Sequence, residues 1–166
     1  SLSVGVSCYT HFLDPDANVI DDLLVYRRGE EKYLAVVNAS NDEKDWAWLN
    51  GVRDGIYLVD KDSPWAVAYG KNVILRNLRD PQSGEDQLVD IAIQGPKSRD
   101  ILLKLGTTEE DREAILRLNW AQLCEVTLNN IGMVVSRTGY TGERMGFELF
   151  VHPEKAVILW ETLLSV

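Results

Sequence analysis

The sequence is poor in cysteine, histidine and proline, with two, two and five of these residues among 166. Cys8 and Cys124 stand far apart without a CxxC spacing, so the sequence predicts neither a disulfide framework nor a zinc site or other metal centre. Its apolar runs extend over only a few residues, which is too short for a membrane-spanning helix. No charged-then-apolar signal segment opens the chain, so we expect a soluble protein of a reducing compartment.

Basic residues are also scarce, because 17 Lys and Arg stand against 26 Asp and Glu, for a net charge of −9. That balance argues against non-specific nucleic-acid binding and against docking on anionic membranes. An anionic ligand would need a local positive pocket. The 45% hydrophobic and 26% charged composition is globular, and the length suits one domain.

Both ends of the sequence look cut. The chain starts at Ser1 on an apolar-alternating stretch and closes on Leu163 to Val166 without a glycine or asparagine cap. We expect a piece excised from a longer protein; the alternative is a complete domain with short tails.

Apolar periodicity and turn residues predict a mixed set of elements without strict strand–helix alternation. Strands are predicted at 2–12, 19–26, 33–37, 56–59, 72–78, 89–94, 125–128, 133–136 and 147–151. Helices are predicted from a capping box at Ser40 to Gly51, over 96–105 and 107–118, and from Pro153 onward. No GxGxxG follows a strand, so the pattern favours an α+β fold with antiparallel pairing over a doubly wound nucleotide-binding fold.

The last predicted helix is strongly apolar. We expect six of its side chains to face inward, namely Ala156, Val157, Leu159, Trp160, Leu163 and Leu164.

The first candidate site is the pair Asp21-Asp22 inside the apolar segment 19–26. Because strand neighbours point to opposite faces, at least one of these carboxylates interrupts an apolar face. Such a carboxylate is costly unless paired, and its pKa tends to rise, which suits acid–base or amine-binding chemistry. The alternative is a strand that starts later, with the pair in a solvated turn.

The second candidate is the segment 136–143, Ser-Arg-Thr-Gly-Tyr-Thr-Gly-Glu. Gly139 and Gly142 bracket Tyr140 and permit positive φ, so the backbone can approach a ligand closely. Tyr140 offers a stacking face and a hydroxyl, and Glu148 places an acid in the next predicted strand. The alternative is a glycine-rich turn with a surface tyrosine.

Two isolated residues complete the candidates. Asn38 ends the predicted strand 33–37 just before a helix, where it is either a site residue or a simple turn asparagine. Tryptophans are more often core residues than cofactor platforms, but Trp120 stands in a loop-like context before a strand and stays a candidate.

Five segments are specific when they occur together in one order. They are VIDDL at 19–23, YLAVVNA at 33–39, EKD at 43–45, IQGP at 93–96 and SRTGYTGE at 136–143. In this order they resemble the glycine-cleavage T-protein family, whose members are aminomethyltransferases. Related folate-binding modules occur in sarcosine- and dimethylglycine-oxidising enzymes. The resemblance runs from about Tyr9 to Leu164 and is weakest over 61–87.

The resemblance implies an antiparallel-sheet α+β domain within a three-domain ring that holds folate at its centre. It implies transfer of an aminomethyl group from the lipoyl arm of the H-protein to tetrahydrofolate, which releases ammonia and gives 5,10-methylenetetrahydrofolate. Residues 1–166 would then be a partial folate-binding domain of a longer chain. The expected location is the cytoplasm, or the mitochondrial matrix if the source is eukaryotic.

By motif, the resemblance makes Asp22 the catalytic carboxylate, near the N5 and N10 amines of folate. Its role would be to orient and polarise the attacking nitrogen and to handle a proton as ammonia leaves. Asp21 would lie on the other face, and Tyr9 corresponds to a folate-contacting tyrosine.

The remaining contacts are implied in the same way. Val36 and Asn38 would contact the pterin, Tyr140 would lie on folate, and Glu148 would pair with the pterin N–H groups. Trp120 corresponds to an aromatic contact before the last hairpin. The spacing from Tyr140 to Glu148 is one residue longer than the common family pattern, and an arginine on the far side of the family's site has no counterpart here.

Two other classes of protein share these motifs. One is a non-catalytic folate-binding regulatory relative, and the other is the folate domain of a sarcosine- or dimethylglycine-oxidising flavoenzyme. Asp22 together with Tyr140 favours an enzyme over the regulatory relative.

Overall fold

Two antiparallel sheets and four α-helices make up the fold in the computed structural model, which describes residues 2–65 and 73–166. The first sheet has the order β1-β2-β3 and the second the order β4-β7-β6-β5. The predicted α+β class with antiparallel pairing is confirmed. The strands are β1 Ser7–Leu13, β2 Val19–Arg27, β3 Tyr33–Val36, β4 Val89–Gln94, β5 Leu123–Leu128, β6 Ile131–Ser136 and β7 Gly146–Val151.

Three of the four helices pack against one face of the second sheet, and together they form the larger apolar core. Leu102, Ile115 and Leu159, one from each of these helices, are fully buried against β6 and β7 residues such as Val135 and Leu149. The helices are α1 Asp42–Arg53, α2 Ser98–Leu105, α3 Glu109–Arg117 and α4 Pro153–Leu164, and short 3₁₀ turns cover Ala39–Asn41 and Pro81–Asp86.

The opposite face of the second sheet packs on the first sheet. Tyr26 of β2 is fully buried there, together with Leu34, Val134 and Phe150. Because side chains alternate along a strand, Asp22 and Leu24 share the face of Tyr26, whereas Asp21 and Leu23 point to the face beside α1. The two faces of β2 therefore have different neighbours, which decides what each aspartate can do.

Several predicted element boundaries agree with the structure. The segment 89–94 is a strand, Pro153 starts α4, and β5 and β6 form the predicted hairpin. Asn129 and Asn130 both adopt positive φ (48° and 63°), which is the backbone of a two-residue hairpin turn.

Two predicted strands are wrong. Residues 56–59 and 73–78 form no strand, and Asn72 lies outside the described residues. Ile56 and Ile74 are 72% and 86% exposed, so these apolar segments have no sheet to join. The predicted capping box at Ser40 is also absent, because a 3₁₀ turn leads into α1, which runs through Gly51 to Arg53.

Helix α4 buries less than its composition predicts. Leu159 is fully buried and Ala156 and Leu163 pack on the core, as predicted. Val157, Trp160 and Leu164 are 67%, 55% and 72% exposed, so the prediction that they face inward is wrong. No helix in the described ranges is long and apolar enough to cross a membrane.

Candidate functional site

Three of the predicted site residues meet at one end of the first sheet. Tyr9 donates its hydroxyl to Asp22 Oδ2 at 2.9 Å, and the side-chain amide of Asn38 donates to Asp22 Oδ1 at 3.1 Å. The same amide also lies 3.0 Å from the Asp22 carbonyl oxygen. Asp22 is exposed, and each of its carboxylate oxygens accepts one hydrogen bond. The hydrogen bond to Asp22 raises the pKa of Tyr9.

Strand register explains this meeting. Tyr9 of β1 and Val36 of β3 both lie directly opposite Leu24 of β2, and residues opposite each other share a face. Tyr9, Val36 and Asp22 therefore line the same face of the sheet, and Asn38 follows two residues after the end of β3. Val36 is half-buried and packs beside the inter-sheet core.

Asp21 lies on the other face and is only 4% exposed. Its Oδ1 accepts from the amides of Asn38 at 3.0 Å and Asn41 at 2.6 Å, and its Oδ2 accepts from the Asn38 backbone N–H at 3.2 Å. Burial opposes ionisation of Asp21, but the hydrogen bonds from Asn38, Asp45 and Asn41 outweigh it and lower the pKa to about 2. The expectation of a raised pKa for the interrupting carboxylate is therefore wrong for Asp21.

Next to Asp21, the carboxyl group whose pKa is raised is that of Asp45, on the first turn of α1. This residue is 1% exposed, and neither of its oxygens accepts a hydrogen bond from an N–H or O–H donor among the described residues. Burial, followed by the effect of Asp21, raises the pKa of Asp45 to about 6. Sequence reasoning missed Asp45 as a site residue, although it stands in the EKD segment at 43–45.

Glu148 belongs to a buried polar cluster between the sheets. It is 7% exposed on β7 and accepts a hydrogen bond from the Thr138 hydroxyl. Ser136 donates to the Tyr26 hydroxyl at 2.9 Å and lies 2.9 Å from the Thr138 hydroxyl. Glu148 lies directly opposite Ser136 in the sheet, and the longer spacing from Tyr140 falls in the loop before β7.

Tyr140 and Trp120 lie together at an open cleft of about 530 Å³, which Arg137, Arg144 and Glu143 also line. Tyr140 is 92% exposed and Trp120 is 53% exposed, so both aromatic faces are open to a ligand. The cleft and the Glu148 cluster are adjacent in the chain, because Thr138, which binds Glu148, directly precedes Gly139 and Tyr140 of the cleft.

The glycine in front of Tyr140 has an intramolecular role. Gly139 has φ +143°, and a Cβ there would come within 2.6 Å of the Gln94 side-chain amide. Gln94 in turn accepts from the Thr141 hydroxyl at 2.7 Å. The IQGP segment at 93–96 therefore holds the Tyr140 loop, whereas Gly142 (φ +88°) has open space around it.

The predicted residues lie in three separate groups. Hydrogen bonds join Tyr9, Asp22 and Asn38. Trp120 and Tyr140 line one cleft, and Glu148 is joined to the first sheet through Thr138 and Tyr26. Thr138 lies in the candidate segment 136–143, but sequence reasoning gave it no role of its own. Sequence reasoning missed Asn41 and also Asp90 on β4, where desolvation and the charge of Glu148 raise the pKa to about 7.

Metal ligands, cysteines and a second cleft add no further candidate site in the described part of the chain. Residues 2–65 and 73–166 contain no group of three His, Cys, Asp or Glu side chains placed to hold a metal ion. Cys8 and Cys124 are free, and burial raises the pKa of Cys124 to about 12. A second cleft, of about 450 Å³, is lined by polar and apolar residues that include Arg28, Glu125 and Phe150, and none of the predicted site residues lines it.

Comparisons with known proteins match the whole chain. The GCVT N-terminal domain family model matches residues 1–166. An aminomethyltransferase of Geobacillus thermodenitrificans is 40% identical over 158 residues, which is 95% of this chain and 36% of the relative. An aminomethyltransferase of Bacillus cytotoxicus is 37% identical over 166 residues, which is 100% of this chain and 38% of the relative.

A solved structure agrees with these matches. The crystal structure of glycine cleavage system aminomethyltransferase T from Bartonella henselae is similar with a TM-score of 0.64 and 25% sequence identity. The similarity covers 98% of this chain and 36% of that chain. The chain thus spans less than two-fifths of the length of these relatives.

Proposed function

Since the chain belongs to the GCVT N-terminal domain family, we propose that it is the part of an aminomethyltransferase that binds tetrahydrofolate and carries the catalytic carboxylate. The reaction would transfer the aminomethyl group of a lipoylated H-protein to tetrahydrofolate. Two C–N bonds would form, to N5 and N10 of tetrahydrofolate, while the C–S and C–NH2 bonds of the aminomethyl group break. Ammonia and the H-protein with its lipoyl arm as the dithiol would leave, and 5,10-methylenetetrahydrofolate would form. Tetrahydrofolate supplies the nucleophilic amine; the chain supplies binding, orientation and proton handling.

The observation that carries the proposal is the geometry of Asp22. Its carboxylate is exposed, and Tyr9 and Asn38 hold its two oxygens at 2.9 and 3.1 Å. A carboxylate oxygen has more than one lone pair, so each can still accept from a ligand amine. Because two neutral donors orient Asp22 without neutralising it, the group can align an amine and take or return a proton at one of its oxygens.

Glu148 would bind the flat polar end of the ligand. Thr138 donates to Glu148 Oε2, and Oε1 has no hydrogen bond in the described part of the chain. A carboxylate in this position suits adjacent N–H donors on a heterocycle such as the pterin. Burial between the sheets strengthens such a pairing, because little water competes for it.

The two carboxylates define the ligand's shape. Asp22 and Tyr26 are four residues apart on β2, so their Cα atoms are about 13 Å apart. Hydrogen bonds connect Tyr26 through Thr138 to Glu148. A ligand that reaches both ends is elongated and polar at more than one place. Tyr140 and Trp120 add aromatic faces on which the ring systems of folate could stack.

A reconstituted reaction tests the proposal. The natural polypeptide that carries this chain is mixed with aminomethyl-loaded, lipoylated H-protein and tetrahydrofolate, and ammonia and methylenetetrahydrofolate are measured together. We expect both products in equal amounts and dependence on each substrate. Folate binding without turnover would favour the regulatory relative, and turnover only with sarcosine or dimethylglycine and a flavin would favour the oxidising enzymes.

A further inference from the structure

Asp45 carries a buried carboxyl group to which no described residue donates a hydrogen bond. It is 1% exposed, and neither of its oxygens accepts a hydrogen bond from a donor among the described residues. A buried carboxylate without a donor or a cation is costly, whereas a protonated carboxyl needs only an acceptor. The question is therefore which acceptor Asp45 faces.

Asp21 is the acceptor that forms a side-chain hydrogen bond with Asp45. Asn41 and Asp45 stand four residues apart on one face of the helical segment, and Asn41 donates to Asp21 Oδ1 at 2.6 Å. Three N–H groups from Asn38 and Asn41 surround the Asp21 carboxylate, which suits the ionised form. Two carboxyl groups side by side, one with donors and one without, are stable when they share a single proton.

Asn38 connects this pair to the proposed catalytic group. Its amide donates to Asp21 Oδ1 at 3.0 Å and to Asp22 Oδ1 at 3.1 Å, across the two faces of β2. We propose that Asp45 is a positioning residue, which in its protonated form shares its proton with Asp21 and so fixes the Asn38 amide against Asp22. The importance of this role for catalysis rests on the proposed function of Asp22, but the proton sharing itself does not.

The charged groups around Asp45 are few. On α1, Lys44 reaches the Ile20 carbonyl at 2.5 Å, and Asp42 pairs with Arg79 at 3.0 Å. Lys44 favours the ionised form of Asp45, whereas Asp42 and Asp21 oppose it. Neither Lys44 nor Arg79 makes an ion pair with Asp45, so the shared proton is the available compensation.

Nuclear magnetic resonance without any ligand tests the pairing. In the natural polypeptide that carries this chain, labelled aspartate and asparagine report the Asp45 carboxyl carbon and the Asn38 side-chain amide from pH 4 to 8. We expect the Asp45 carboxyl to titrate near pH 6 and the Asn38 amide to shift with the same midpoint. An Asp45 midpoint near pH 4, or an Asn38 amide that does not follow it, would overturn the proposal.

Variants separate positioning from folding. Asp45→Asn keeps an N–H donor toward Asp21, so the Asn38 amide should stop responding to pH while staying in place. Glu43→Gln makes the same charge change on an exposed neighbour and should leave the titration unchanged. An Asn38 amide that still shifts near pH 6 in Asp45→Asn would contradict the pairing.

Activity adds a second readout. At pH 5.5, where Asp45 still holds its proton, we expect Asp45→Ala to lower kcat for transfer by about ten- to a hundredfold, the size expected for a lost hydrogen bond to a charged group, with a small change in KM. Asp45→Asn should keep most of the kcat of the unaltered protein. An equal loss of kcat in both variants would contradict positioning. If the unaltered protein shows no transfer at all, the proposed function fails, while the resonance result still decides the pairing.

Discussion

Replacing Asp45 by asparagine should stabilise the chain at neutral pH and leave its stability unchanged in acid. The pKa of Asp45 is raised from 3.8 to about 6 in the folded chain, so the folded state keeps this proton longer than the unfolded state. Stability therefore falls as pH rises from about 4 to 6, and the penalty stays constant above that range. Asparagine cannot ionise, so the variant escapes the penalty.

The size of the effect follows from the shift. A pKa raised by about two units corresponds to about 3 kcal/mol. Relaxation of the surroundings and water penetration around a buried charge reduce this penalty, so we expect Asp45→Asn to gain about 1–2 kcal/mol at pH 7. For a chain of this length, that is a rise in Tm of about 2–8 °C.

Urea unfolding at pH 3.5, 5 and 7.5 measures the difference directly. We expect the gain to be near zero at pH 3.5, partial at pH 5 and full at pH 7.5. The control, Glu43→Gln, should stay within about 0.5 kcal/mol of the unaltered chain at every pH. A gain that is equal at all three values, or a variant less stable at pH 7.5, would refute the reasoning.

Three further substitutions or tests address the site. Tyr9→Phe removes one of the two donors to Asp22, and we expect transfer to slow by about five- to tenfold in steady-state kinetics of the natural polypeptide, because the hydrogen bond to a charged group is exposed. Glu148→Gln should raise the Kd for tetrahydrofolate by about tenfold or more by calorimetry, with unchanged affinity counting against its contact with the pterin. The 166 residues alone, which span less than two-fifths of their relatives, should bind tetrahydrofolate weakly or not at all, and a micromolar Kd would contradict this.

Local patterns predicted the elements that hold Asp22. The β-branched segment 19–26 forms β2, and strand alternation correctly separated Asp21 from Asp22. The contact of Tyr9 with Asp22 agrees with the place that the family resemblance gave both residues, and register accounts for it. Where alternation along a single strand decides the geometry, as for Asp21 and Asp22, sequence reasoning was sufficient.

Tertiary packing decided the rest. Asp45 acquires its raised pKa because α1 lays it against Asp21, and nothing in the spacing of residues 21 and 45 indicates that contact. The apolar segments 56–59 and 73–78 read as strands, but a strand needs a partner with free hydrogen-bonding groups, and these segments have none. In α4, apolar residues occur on more than one face, so composition could not tell Leu159, which is buried, from Trp160, which is exposed.

The central claim is that Asp22 performs proton and orientation chemistry on bound tetrahydrofolate. The most direct measurement compares Asp22→Asn with the unaltered protein in the natural polypeptide, by single-turnover transfer from aminomethyl-loaded H-protein and by tetrahydrofolate binding in the same preparation. We predict that transfer falls by at least about a hundredfold, while the Kd for tetrahydrofolate changes by less than about tenfold. Full transfer activity in Asp22→Asn would remove Asp22 from the mechanism.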